Sequence, residues 1–142
     1  DNEQLSTFSK IKFNGPEGQL NQLQKAISKD SSHSIFRGII EVPQIAQKTN
    51  ASQLSKNLLL SSKAQIDTKP ELRIVADDVR CNHGATISEL QEDELFYLQS
   101  RGLSPTNAAS LIISGYSNEI LNDLPLQPNR WSFLSTLLNK ND

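Results

Sequence analysis

Several features that mark other classes of protein are missing from this sequence. Its 142 residues include one cysteine, one tryptophan and no methionine. A single cysteine cannot form an internal disulfide, so we expect a reducing compartment, either the cytoplasm or a plastid stroma. Apolar runs such as residues 58–60 are far shorter than the roughly 20 residues that cross a bilayer. We therefore expect a soluble chain without a membrane partner.

Neither positive nor negative charge predominates in the sequence. The chain has 14 Lys and Arg against 16 Asp and Glu, for a formal net charge of -2, and the two signs are mixed along the sequence. Without a basic stripe that could follow a phosphate backbone, nucleic acid is not an expected partner. The lack of methionine, and a strand-like pattern that begins almost at Asp1, lead us to expect a piece of a longer protein.

The pattern of apolar residues changes near Ile87. Before that point the apolar residues form short β-type runs between polar turns, and after it they recur at helical spacing. This pattern predicts strands at residues 7–13, 35–42, 57–60, 64–68 and 72–87. Short strands without crossover helices are typical of a sandwich, a barrel or a β-solenoid, and the residues alone leave these three open.

The last of these segments changes its apolar parity. Leu72 belongs to one face of a strand, whereas Cys81 and His83 have the opposite parity. Because side chains alternate with a period of two, one flat strand cannot direct both sets inward, which predicts a corner at Asp77-Asp78. Beyond the corner, Cys81 and His83 share one face, about 7 Å apart by the rise of a strand.

Helix signals dominate the rest of the chain. Ser88 and Gln91 form a capping-box pattern, which predicts a helix at residues 89–100. Ser104 and Pro105 supply an N-cap and a first-turn proline for a second helix. The second helix is predicted to close at Gly115, a third to span residues 119–124, and a last one to follow residue 128. The predicted division is thus a β portion, residues 1–87, and a small helical domain, residues 88–142.

Residues 32–116 resemble the C-terminal part of the SufB/SufD family of iron-sulfur cluster assembly proteins, in several blocks that follow the family's order. The blocks are Phe36-Arg37-Gly38, residues 46–51 (AQKTNA) with Gln53, residues 57–61 (NLLLS), residues 69–72 (KPEL), residues 76–86 (ADDVRCNHGAT), residues 95–98 (LFYL) and Ser100-Arg101-Gly102. His83 is followed by Gly84 where SufB-type members usually carry a glutamate, so the SufD branch fits better. In one departure, residues 15–25 look like the family's histidine-bearing loop but contain no histidine.

The resemblance implies a fold and a function. The implied fold is the C-terminal portion of a right-handed parallel β-helix for residues 1–87, followed by a helical domain that docks an ATPase. The implied function is that of a SufD-like scaffold subunit, which has no turnover of its own, pairs with SufB and docks the SufC ATPase. The cofactor expected on this basis is a transient Fe-S cluster shared with SufB, and none is expected to be tightly bound by this chain alone.

The resemblance also implies site residues. Cys81 and His83 are the expected cluster assembly residues, with His83 as a metal ligand, because thiolate and imidazole are ligands that iron-sulfur chemistry uses. Two ligands cannot complete a cluster, so SufB is expected to supply others. Phe96, Tyr97 and Arg101 are the expected docking patch for SufC. The plainer interpretations are a buried cysteine with a satisfied histidine, and a helix face that belongs to the core.

Two competing functions remain open. One is an enzyme, because β-helix folds include polysaccharide lyases and esterases, but only Asp77 and Asp78 stand out, and turn chemistry explains adjacent aspartates at a corner. The other is a purely structural binding module in which Cys81 and His83 have no chemical role. Iron retention by the assembled complex would separate the module from the scaffold. In either case, an uncapped last strand predicts a homodimer when the chain is alone.

Overall fold

The computed structural model describes residues 2–122 and divides the chain after Glu89 into two compact units. The first unit contains only strands: β1 (Gln4–Lys12), β2 (Gln19–Ser28), β3 (His33–Val42), β4 (Asn50–Leu59), β5 (Gln65–Ile74) and β6 (Arg80–Glu89). The second contains α1 (Glu92–Ser100) and α2 (Pro105–Asn122). The described chain is therefore mainly β with two helices, which confirms the predicted class at this level.

The strands form two three-stranded parallel sheets, in the orders β1-β3-β5 and β2-β4-β6. Consecutive strands thus belong to different sheets, and each strand pairs with the one two further along. Gln4 pairs with His33, and His33 pairs with Gln65. Neither sheet is closed among the described residues. The β-helix itself remains a prediction.

The strand predictions succeed where apolar residues alternate and fail where they do not. The corner at Asp77-Asp78 is confirmed, since it separates β5 from β6. β5 runs unbroken through Pro70, which the sequence pattern treated as a gap. Proline is tolerated there because β5 is the outer strand of its sheet. β2 was missed entirely, because Gln22 and Gln24 lie among its partly buried positions and hide the alternation.

The helical predictions need two corrections. Ser88 does not cap a helix: β6 continues to Glu89, and the Ser88 hydroxyl lies 3.3 Å from the carbonyl oxygen of Asn57, to which it donates. α1 begins at Glu92 instead. The backbone N-H of Asn107 donates to the Ser104 hydroxyl at 3.2 Å, as an N-cap should.

The second correction concerns the end of α2. This helix continues through Gly115 to Asn122, so the predicted end at Gly115 and the separate helix at 119–124 are wrong. An interior glycine costs a helix about 1 kcal/mol, which the half-buried Ile120 and Leu121 beyond it can offset by packing. The helix predicted after residue 128 lies outside the described residues. Neither described helix is both long enough and apolar enough to cross a membrane.

The interior of the first unit has an apolar part and a polar part. The apolar part is a cluster of five buried residues, Ile40, Val42, Ala46, Ala51 and Ala76. The polar part lies on β4, where Gln53, Ser55 and Asn57 are all at most 1% exposed. The hydroxyls of Ser55 and Thr68 lie 2.8 Å apart and link the two sheets. The inward positions of β4 therefore carry buried polar groups directly beside β6.

Candidate functional site

β6 is the outer strand of its sheet and carries both predicted cluster residues. It pairs with β4 on one side, and no described strand pairs with its other edge. Cys81 lies opposite Ala51, and His83 lies opposite Gln53. Since Ala51 and Gln53 are buried inward residues, Cys81 and His83 occupy the inward register of the outer strand of this sheet.

Cys81 is half-buried at the margin of the apolar cluster. Burial raises the pKa of its thiol, and a backbone hydrogen bond at Ala51 opposes this only in part. The protonated thiol is the weaker nucleophile and the weaker metal ligand. Cys81 therefore needs a bound metal or a partner's cation before its thiolate predominates at neutral pH.

His83 is exposed, two residues further along the same strand. Its neighbour across the sheet, Gln53, is 1% exposed and donates from Nε2 to Oε1 of Gln22 at 2.8 Å. Gln53 belongs to one of the family blocks, but the sequence pattern predicts no role for it. The available signal was its position in β4, where it alternates with Ala51 and Ser55 at the inward positions.

The described residues offer no complete metal site. Nowhere in residues 2–122 do three or more His, Cys, Asp or Glu side chains form a group that could hold a metal ion. Cys81 and His83 can thus contribute at most part of the ligand set that a cluster requires. Asp77 accepts from Gln44 Nε2 at 3.0 Å, and the backbone N-H of Asp78 donates to Gln47 Oε1 at 2.9 Å. These bonds hold the corner, which fits the structural interpretation of both aspartates.

The predicted docking patch is exposed on α1. Phe96 and Tyr97 are 73% and 57% exposed, so neither belongs to a core. The Arg101 guanidinium carbon lies 5.3 Å from the centre of the Tyr97 ring, a cation-π distance. Leu98 is half-buried instead, as expected for the packed face of the helix.

His33 has a more ordered environment than the solvated turn that the sequence predicted. It is the first residue of β3, and its Nε2 lies 2.7 Å from Oδ2 of Asp67 on the neighbouring β5. Because this pair lies at the start of its sheet and involves neither Cys81 nor His83, it serves as a strand-to-strand contact.

These observations define a class: a mainly β protein of two open parallel sheets, with a thiol and an imidazole on an outer strand, followed by a short helical unit. The chain belongs to the SufBD family, because the family model for the SufBD core domain of the SUF system of FeS cluster assembly matches residues 1–116. The expected family is thereby confirmed.

Curated relatives support the SufD side of the family. The chain is 54% identical to an iron-sulfur cluster assembly SufBD family protein of Synechocystis, over 84% of this chain and 26% of the relative. It is 45% identical to the chloroplastic protein ABCI7 of Arabidopsis thaliana, over 87% of this chain and 26% of the relative. Identity to SufD of Escherichia coli is 39%, over 84% of this chain and 28% of that protein. The chain thus spans about a quarter of the length of these relatives.

Proposed function

We propose that this chain forms part of a SufD-like scaffold subunit of the SUF complex, with no catalytic turnover of its own. The subunit pairs with a SufB-type protein through β6 and docks a SufC-type ATPase through α1. The nascent Fe-S cluster is cargo that the two scaffold subunits share, and this chain alone does not hold it tightly. Its relatives in bacteria and in a chloroplast favour the cytoplasm or a plastid stroma as the compartment.

The observation that carries this proposal is an incomplete ligand set on an outer strand. Cys81 and His83 share the inward register of β6, and residues 2–122 contain no third group that would complete a site with them. A cluster at this position therefore needs ligands from another chain. The free backbone N-H and C=O groups of an outer strand provide the means for a second chain to pair there.

The sheet topology supports a β-helix as the scaffold. Strands alternate between two parallel sheets, and paired residues are about 30 positions apart, as in Gln19 with Asn50 and Asn50 with Arg80. Each such turn adds one strand to each sheet, which is the construction of a β-solenoid. Parallel connections within a sheet are right-handed in about 98% of cases, which favours the right-handed form.

The role of α1 in docking is supported by its exposed aromatic pair. Phe96, Tyr97 and Arg101 present an apolar surface with a fixed cation beside it, and aromatic and arginine side chains dominate the energy of protein interfaces. An ATPase partner is the occupant that membership of the SUF family suggests.

The decisive test is His83→Ala in the complete subunit, co-expressed without oxygen with its SufB-type and SufC-type partners. We expect the complex to assemble but to lose most of its iron and sulfide, because a neutral imidazole that ligates iron has been removed. Melting temperature should change by only a few degrees, since the exposed His83 leaves no closed cavity. Asn82→Ala is the matched control: Asn82 is the adjacent exposed residue of β6, with its side chain bonded to Ser52 at 2.8 Å.

The outcome against the proposal is equally clear. If the His83→Ala complex retains iron and sulfide at the level of the Asn82→Ala complex, His83 is a bystander and the ligands lie on the partner. One observation favours that second candidate, a purely structural module: Cys81 packs against the core and its pKa is raised. A Cys81→Ala complex that retains iron, beside a His83→Ala complex that loses it, would restrict the structural role to the thiol.

A further inference from the structure

A column of side-chain hydrogen bonds crosses the interior of the first unit toward β6. Gln22 Nε2 donates to the hydroxyl of Ser9 at 2.8 Å, and Gln53 Nε2 donates to Oε1 of Gln22 at 2.8 Å. Gln22, Gln53 and His83 lie side by side on one rung of the β2-β4-β6 sheet. The rung therefore continues from two bonded amides to an imidazole.

The Gln53 amide is oriented along this rung. The oxygen and the nitrogen of a primary amide diverge from the carbon that carries them, so an amide that directs Nε2 to Gln22 on β2 directs Oε1 away from Gln22. Gln53 Oε1 is buried and has no hydrogen-bond partner among the described residues. An unpaired buried acceptor is destabilising, so this oxygen favours any donor that reaches it.

The position of the amide is held by Gly38 on β3. A Cβ atom at Gly38 would lie 2.2 Å from Gln53 Nε2 and 2.8 Å from Cζ of Phe36, both far inside van der Waals contact. Glycine is therefore required for the Gln53 amide to occupy this place. The Gln53 amide therefore packs directly against Gly38, and a side chain at that position would displace it.

We propose that Gln53 is a positioning residue for His83. Its Oε1 accepts a hydrogen bond from one ring N-H of His83 when a partner covers β6. A neutral imidazole has one N-H donor and one acceptor nitrogen, so this bond selects the tautomer and directs the other nitrogen to the cluster. The inference rests on the proposed role of His83 as a cluster ligand, and it adds the group that orients this ligand.

The test uses the complete subunit in its complex, with Gln53→Met as the main variant. Methionine is similar in length to glutamine but carries no strong hydrogen-bonding group. We expect the 15N signals of His83, identified by their loss in His83→Ala, to change from one neutral tautomer to a mixture of two. Retained iron should fall by about tenfold or more, because removal of an outer-shell partner of a metal ligand typically costs 10-fold to 100-fold.

Two further variants separate orientation from packing. Gln53→Glu should restore a single tautomer and most of the iron, because a carboxyl group can donate to Gln22 through its O-H and still accept from His83. Ser55→Ala is the matched control: Ser55 is fully buried, hydrogen-bonded and two residues along β4, but it lies opposite Ala85. We expect Ser55→Ala to lower stability while iron and tautomer stay as in the parent complex.

The outcomes distinguish this inference from the function on which it rests. If Gln53→Met leaves both the tautomer and the iron unchanged while His83→Ala removes the iron, the positioning role is wrong and the scaffold function stands. If His83→Ala retains the iron, the scaffold function fails, and the tautomer alone then decides whether Gln53 orients His83. Should Gln53→Met prevent assembly, Gln53→Asn replaces it: it keeps the amide but withdraws the oxygen by one methylene, and a parent-like tautomer there would overturn the inference.

Discussion

At the scale of single residues, two neighbours on β6 have different environments although they share one register. Cys81 lies opposite Ala51 at the margin of the apolar cluster, where burial raises the pKa of its thiol. His83 lies opposite a buried polar residue and is itself exposed. The thiol is thus shielded and protonated, whereas the imidazole is available to solvent and to a partner. Of the two side chains, His83 is the more accessible.

The environment of Cys81 predicts slow alkylation. Because the thiolate is the reactive species, Cys81 in the folded chain should react with iodoacetamide more slowly at pH 7 than in the denatured chain. The folded rate should continue to rise with pH beyond the ordinary thiol pKa of 9.0, because it levels off only above the raised pKa. Mass spectrometry of timed samples measures both rates without interference, since Cys81 is the one cysteine in the sequence.

The raised pKa of the Cys81 thiol also determines how the stability of the fold changes with pH. The folded thiol has a pKa above its unfolded value, so its contribution to stability is complete below about pH 9 and is lost as pH rises through the folded pKa. Equal alkylation rates in the folded and denatured chains at pH 7 would contradict the shielded environment. The variant Cys81→Ala gives the background of alkylation at other residues.

At the scale of elements, α1 is too short and too exposed to be explained by its own packing. It spans nine residues and none of its side chains is buried, whereas isolated helices shorter than about 12 to 15 residues are marginal in water. Its exposed side chains include the aromatic pair Phe96 and Tyr97. A helix of this kind gains stability when a partner covers it.

The α1 patch predicts the effect of a double substitution on ATPase binding. Replacing Tyr97 and Arg101 with alanine removes both members of the cation-π pair, and should weaken SufC pull-down by about tenfold or more, as loss of an interface hot spot does. Pairing with SufB should be unaffected, because the substitutions are confined to the helical unit. Gln99→Ala, at another exposed position of α1, is the control. Undiminished SufC recovery with the double variant would eliminate this patch as the docking surface.

Element prediction from sequence was reliable where the local signal matched the local physics. The Ser104-Pro105 pair predicted the start of α2, because capping depends on residues three positions apart. Ser88 predicted a helix start that the structure does not contain. Its capping pattern is local as well, but Ser88 is part of the strand β6, where its backbone pairs with another strand. β2 could not be predicted from the sequence pattern, since it is a strand because it pairs with β4 and not because its apolar residues alternate.

At the scale of the whole molecule, each sheet ends in outer strands that pair with another described strand on one side only. In the β2-β4-β6 sheet, β6 has one described neighbour. Its inward register includes the exposed residues His83, Ala85 and Ile87, the last of which is 49% exposed. An uncovered strand edge beside an apolar side chain is a surface that other chains can extend.

This edge predicts that the chain self-associates when SufB is absent. We expect a twofold homodimer at high concentration, detected by light scattering. Ala85→Lys should shift it toward monomer, because a charge at an inward position opposes edge pairing. Thr86→Lys adds the same charge at the neighbouring exposed position of opposite parity and should have less effect. A chain that stays monomeric at every concentration would count against the pairing role of β6.

The sequence by itself determined the features that depend on neighbours along the chain. The shared face of Cys81 and His83 follows from the period of two in any strand, and the Asp77-Asp78 corner follows from the change of parity beside it. The family blocks are likewise contiguous segments, so the SufBD family could be recognised from the sequence alone. Only the tertiary structure decided what lies beside His83. The rung that joins Gln22, Gln53 and His83 is set by the register of strands about 30 residues apart. That register comes from backbone pairing, and the place of the Gln53 amide depends on Gly38 in the other sheet; no local pattern in the sequence encodes either.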